Sequence, residues 1–469
     1  MWKYSFPLPF TSLFNPLPSA MRAFLILSVL LWGSSLASGQ KITIPNPSLP
    51  NCNPQGVLIP NAQYFMQSSL DKNKYNQQII LQEVNNYELQ RQNNQQQIDI
   101  DRALRDIDEA LAPKGSSNAR IKYDFPINTS SGKIHFQNAQ REIMEMVQLK
   151  SPYDLKRAVY LTEFAYDNSL SYDLFSRQIG KLVEIIRLEM KQRKISPSDN
   201  IGKIMAIFKF MADTLTVRNP VLEKTITTYP KTYDFEDFYG MRDYHKMFVS
   251  KLIRTGKGQC HSLPLLFLIL CQEIGAKAYL STGPEHYYIK FMDKFGSLQN
   301  IELTNQMFTT DQFILQSGFI KAPAIKNRIY MDTLAMDKVI LGTLNDLSNC
   351  YAKKYGYDDF VLQCADQVLK YDTRNILAHM HSANYFNLLW MKVQNQYDSL
   401  GVPKEEFRKD RQLAKIATTA IRYNRMIDDL GYAEMPPDLY AKWLNSLKNE
   451  SMRQQHLDRK RLLTNMIEH

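Results

Sequence analysis

Cys260, His286 and Glu302 are the residue types of a nucleophile, a general base and the carboxylate that orients it. A cysteine attacks a carbonyl carbon as its thiolate, so its surroundings decide whether that chemistry is open to it. Thr255-Gly256-Lys257-Gly258-Gln259 reads as a flexible glycine loop leading into Cys260-His261-Ser262-Leu263-Pro264. Proline is tolerated only in the first turn of a helix. The apolar helix that runs through Leu265 to Ile274 must therefore start near residues 261–263, and Gly275 is its stop. Cys260 then stands at a helix N-terminus, where the dipole and the N–H groups of the first turn favour the thiolate and can cradle an oxyanion.

Beyond Gly275 the hydrophobic period changes to two. Ala276 to Ser281, His286 to Phe291 and Asn300 to Thr304 read as strands, the last two joined by a turn at Asp293-Lys294-Phe295-Gly296-Ser297. In that hairpin even-numbered residues pair with even, which sets His286 and Glu302 on one face, opposite or diagonal, within side-chain reach. Ile301 and Leu303 should face a core, leaving Glu302 on the polar face. Each of these residues also has a plainer explanation. Cys260 could be a simple buried thiol, and Cys271, three turns down the same helix, is expected to be core. His261 adjoins Cys260 but should point elsewhere on the helix. Cys260, His261, Cys271 and His286 have no recognised ligand spacing, so no metal and no cofactor is expected. Arg254 and Lys257 read as solvated loop charges.

The stretches Gly258-Gln259-Cys260, Gly275-Ala276-Lys277-Ala278-Tyr279-Leu280, Glu285-His286-Tyr287-Tyr288-Ile289 and Asn300-Ile301-Glu302-Leu303-Thr304 together resemble the transglutaminase-like superfamily, which shares its layout with papain-type cysteine proteases. The resemblance reaches from the helix near 199–216 to about residue 335, well under half the chain. It implies an α+β fold, a helix bearing the cysteine packed on a small antiparallel sheet. It also implies Cys260 as nucleophile, His286 as general base and Glu302 as orienting acid, acting on amide or isopeptide bonds of peptides or proteins through a thioester. The acid is Glu where the commonest family pattern has Asp. No side chain is clearly placed to complete an oxyanion hole, with Gln259 and Tyr239 as weak candidates. The alternative is a scaffold of the same kind without turnover, binding a peptide or a partner protein.

The elements that must hold this site are largely helical. Helical periodicity covers 136–150, 154–168, 171–193 and 198–216, with Ser151-Pro152 and Ser196-Pro197-Ser198-Asp199 supplying capping residues. Residues 217–245 lose the period and read as a long aromatic-rich connection. Further on, 338–356, 358–371, 374–397 and 404–429 read as helices, and 357–383 looks like part of a tetratricopeptide-type hairpin with Ala365, Ala378 and Ala383 at the close approach. The expected domains are 1–39, 40–150, 151–337 and 338–469: an upstream extension with a signal peptide, a Pro/Asn-rich lead-in with a Gln/Asn-rich helical region, a transglutaminase-like domain and a TPR-like helical region.

Length and composition bound the rest. In 469 residues, 44% hydrophobic and 22% charged, there is ample material for a globular core, which argues against a disordered or fibrous chain. The net charge of +10 has no long basic run behind it, the densest cluster being Arg459-Lys460-Arg461, so nucleic acid is not an expected partner. Met21-Arg22 followed by an apolar run to Trp32 and small residues to Gly39 has the layout of a signal peptide, too short to span a bilayer comfortably. Translation from Met21 rather than Met1, no stable membrane anchor after cleavage, and a periplasmic or secreted location are expected, with cell-envelope peptides as substrates and a protein partner for the C-terminal helices. Five cysteines cannot all pair. Cys350 and Cys364 could bridge two helices or stay as separate buried thiols.

Overall fold

The computed structural model describes residues 121–433 except 221–222 and 318–319, together with Lys442. The expected signal peptide, the Gln/Asn-rich helix, Cys52 and the final charged helix lie outside the described residues. Among the described residues, 121–402 and 412–433 form one unit; 403–411 belong to a second and carry a short helix of their own. Helices and small sheets make up the first unit, an α+β arrangement.

Four helices open it: α1 (Lys133–Val147), α2 (Leu155–Tyr166), α3 (Tyr172–Gln192) and α4 (Asn200–Ala212). Asp154, Ser171 and Asp199 cap the last three, each side chain accepting a backbone N–H three residues on. Asp154 caps α2 where the sequence pointed to Ser151. The reason is tertiary: Gln272 donates to the Tyr153 carbonyl at 2.6 Å and accepts from Leu155 N at 2.9 Å, so the chain cannot turn helical before Asp154. The expected connection at 217–245 is partly sheet. Strands β1 (Leu215–Asn219) and β2 (Lys224–Thr228) form an antiparallel hairpin in which Leu215, Val217 and Asn219 are buried and Thr216 and Arg218 exposed. Five residues of alternation are too few to outweigh the adjoining helical period.

β3 (Thr232–Tyr233) leads by a 3-10 turn (Tyr244–Met247) to α5 (Val249–Thr255), and β4 (Lys257–Gly258) returns parallel to β3. The glycine loop is thus no loose tether: Gly256 ends α5, and Lys257–Gly258 is pinned by sheet hydrogen bonds. A Cβ on Gly258 would come within 2.9 Å of Ser262 Oγ and 3.1 Å of the Leu252 methyls, so a larger residue would force these side chains to shift. α6 (Ser262–Ile274) follows, closed by Gly275. Every residue from Ser262 to Cys271 is buried, as expected of a helix apolar on all sides.

β5 (Tyr279–Gly283), β6 (His286–Met292), β7 (Leu298–Glu302) and β8 (Met307–Thr309) make a four-stranded antiparallel sheet in that order. Lys290 pairs with Asn300 and Ile289 with Ile301, the expected even-with-even register. α7 (Asp311–Ser317) and α8 (Ala322–Lys326) connect to α9 (Met336–Tyr355), α10 (Asp359–Tyr371) and α11 (Ile376–Ser399), followed by α12 (Lys404–Arg408) and α13 (Arg411–Asp429). The expected single helix over 404–429 is therefore two. Ala365, Ala378 and Ala383 are all fully buried, as close helix packing requires. One apolar core runs from Phe136 to Ala378, joining the first helices, α6, the inner face of the sheet and α9–α10.

Candidate active site

Cys260 sits in the tight turn that starts α6. Gln259 O accepts from Leu263 N at 3.0 Å, and Gln259 N donates to Ser262 Oγ at 2.9 Å, a reciprocal pair that fixes the backbone on both sides of the cysteine. The sulfur faces the turn between β5 and β6, where its S–H donates to Glu285 O at 3.6 Å. His286, the first residue of β6, lines the same cavity as Cys260, and the sulfur helps to raise the proton affinity of its ring. Its Nε2 lies 2.5 Å from Glu302 Oε2. Extending the β6–β7 register by one step puts Tyr288 opposite Glu302, so the imidazole and the carboxylate meet diagonally. Glu302 Oε1 accepts from Thr304 N at 2.8 Å, fixing the carboxylate from its other side.

The electrostatics follow from burial. His286 is 6% exposed and Glu302 2%. Burial by itself would lower the His286 pKa, but the Glu302 charge and the Cys260 hydrogen bond outweigh it and raise the pKa to about 10. The imidazolium is the favoured form beside a sulfur at the positive end of a helix. Glu302 was expected on the polar face of the sheet. That face is covered instead, with Lys290 and Asn300 also buried and both donating to Asp311 Oδ1 of α7, at 3.0 and 2.8 Å.

The structure brings Cys260, His286 and Glu302 together. Of the two oxyanion candidates, Gln259 is fully buried, donates its amide to Asp234 O at 3.0 Å and does not line the cavity beside Cys260. Tyr239 does line it and donates its hydroxyl to Glu285 Oε2 at 3.1 Å. Cys271, Cys350 and Cys364 are free thiols buried in the core, and burial raises the pKa of each. Cys350 and Cys364 are thus two separate thiols, with Cys364 Sγ accepting from Gln140 at 3.3 Å.

Three residues here escaped the sequence. Glu285 has a positive φ of 55° at the second position of a two-residue turn after Pro284. The Gly283-Pro284 pair between two strand patterns was the available sign. Asp346 of α9 lies 2.9 Å from His261 Nε2; burial lowers the pKa of this histidine, but the charge and hydrogen bond of Asp346, with the neighbouring Cys260 and Glu163, together raise it more, for a net increase. Glu163 of α2 accepts from Val249 N at 2.6 Å and Ser250 N at 3.1 Å, and burial raises its pKa to about 7. No local pattern announces the last two. Among the described residues no group of three or more His, Cys, Asp and Glu could hold a metal ion, and no helix is long and apolar enough to cross a membrane. None of the family models, curated proteins or solved structures with which the chain was compared matches it.

Proposed function

We propose that the chain is an exported cysteine acyl-transfer enzyme of transglutaminase-like architecture. One observation supports this reading above the others: His286, beside Cys260, is paired with Glu302 at 2.5 Å, and both members of that pair are almost fully buried. In the reaction Cys260 sulfur adds to the carbonyl carbon of an amide, and the C–N bond breaks as the His286 imidazolium gives its proton to the departing amine. A thioester remains on Cys260. Water or a second amine then attacks it, passing a proton back to His286 and freeing the thiolate. N–H groups of the first turn of α6 face the forming oxyanion. Export rests on the Met21–Gly39 layout, and peptides or proteins of the cell envelope are the substrates that location supplies.

Alkylation by iodoacetamide, read by mass spectrometry at Cys260, tests the reading. At pH 6–7 Cys260 should react at least tenfold faster than glutathione, because its sulfur stands at the N-terminus of α6 beside the charged His286. Labelling no faster than glutathione overturns the proposal and leaves a binding scaffold.

A further inference from the structure

The space beside Cys260 does not end at the catalytic groups. It is one cavity of about 270 Å3 that starts at Cys260 and His286 and continues between the sheet edge and the C-terminal helices. Its far wall is apolar: Ile329, Ile376, Leu377, Met380 and Tyr432. Ile329, Met380 and Tyr432 belong to a small core separate from the main one, with exposures of 8%, 2% and 5%, so this wall is built to interior standard. Tyr432 reaches it because the chain turns sharply after α13 at Gly431, where φ is +90° and a Cβ would stand 2.4 Å from Ala324 N.

Charge does not select the ligand of this cavity. Arg328, Lys338 and Arg374 line it, against Glu285, Asp332, Asp346 and Asp372. Lys338 lies 3.6 Å from Asp372, and Asp346 is held by His261, so the two signs are interspersed and partly matched within the wall. Apolar surface without a bound partner is what remains to be satisfied. A dry cavity of about 150 Å3 lined by aliphatic side chains already holds a benzene ring. The volume here takes such a group together with the amide being attacked.

We propose that the acyl donor carries an aromatic or branched aliphatic side chain next to the reacting carbonyl, and that this side chain lies against Leu377, Met380, Ile329 and Tyr432. The C-terminal helices thereby set the selectivity of a nucleophile held by the sheet and α6. This inference rests on the reading of Cys260 as the nucleophile.

The test uses the full chain and two reagents, N-benzyl-iodoacetamide and iodoacetamide, each rate at Cys260 divided by the rate with glutathione. The wild type should prefer the benzyl reagent at least tenfold after this normalisation. Leu377→Asp, which puts charge into the wall, and Leu377→Trp, which fills it, should each cut that preference at least fivefold. A normalised ratio near one in the wild type, or a ratio kept by both variants, overturns the apolar subsite. Slow iodoacetamide labelling is a separate failure. It overturns the nucleophile, while the ratio still reports on the wall.

Discussion

Two histidine–carboxylate pairs flank Cys260, and they stand in different kinds of structure. His286 and Glu302 sit on adjacent strands, 2.5 Å apart and almost fully buried. His261 and Asp346 join the first turn of α6 to the middle of α9, 2.9 Å apart, with side chains 23% and 18% exposed. In both histidines burial lowers the pKa and a neighbouring carboxylate more than restores it. Of the two, His286 is the one whose buried carboxylate pair stands beside the sulfur, although His261 is the next residue in the chain. The comparison teaches that direction, not sequence proximity, assigns the base: consecutive residues at a helix start diverge, whereas a strand can present its end squarely to the helix tip. In the proposed reaction the first pair would serve the chemistry; the second fastens α9 to the turn that carries Cys260.

The largest expected effect comes from removing the sulfur. Cys260→Ala should abolish any covalent adduct while unfolding free energy stays within about 1 kcal/mol, because the thiol contributes little packing. Loss of folding would mean that the site is structural. Next, Glu302→Gln leaves burial to lower the His286 pKa unopposed by its carboxylate, so the imidazolium fraction falls and labelling at pH 6–7 should drop by about 10²–10⁴-fold. In the wild type the stabilisation from charged His286 is complete below pH 6.5 and is lost as pH rises through about 10. The variant should lose it at lower pH. Asp346→Asn separates the two pairs. Labelling should change by less than about tenfold, since the residue is not on the sulfur, while stability falls by about 1–3 kcal/mol through the weakened partly buried pair. A chemistry defect as deep as that of Glu302→Gln would erase the distinction drawn between them.

Glu163 supplies a pH signature of the fastening region. The folded carboxyl keeps its proton up to about pH 7, against 4.5 unfolded. Stability should therefore fall by up to about 3 kcal/mol as pH rises through that window, and Glu163→Gln should flatten the curve in denaturant titrations. The smallest effect is expected at Tyr239. Tyr239→Phe removes one hydrogen bond, to Glu285, and should cost about 0.5–1.5 kcal/mol with little change in labelling. A fall of about 10²-fold or more in acyl-enzyme formation would instead make its hydroxyl an oxyanion donor.

Much of this arrangement could be read before any coordinates. Pro264 and Gly275 bound α6, which runs over Ser262–Ile274. The Asp293–Ser297 turn set the register that puts His286 and Glu302 on one face. Such features are legible because they are local: a ring that lacks an N–H, a left-handed cap, a side chain every second residue. The β1–β2 hairpin was not legible, since its short alternation adjoins a strong helical period. Nor were the cap at Asp154, the burial of the face carrying Glu302, or the partners of His261, because Gln272, Asp311 and Asp346 are brought there from distant elements.

By itself, then, the chain order determined that Cys260 stands at the tip of an apolar helix and that an imidazole and a carboxylate share a strand face, since both follow from backbone periods of a few residues. Only the packing decided how far water is kept from the pair, what His261 pairs with, and that Leu377, Met380 and Tyr432 wall the space in front of the sulfur. Those outcomes depend on surfaces separated by many tens of residues, and burial, which sets both proton affinity and pocket character, exists only once those surfaces meet.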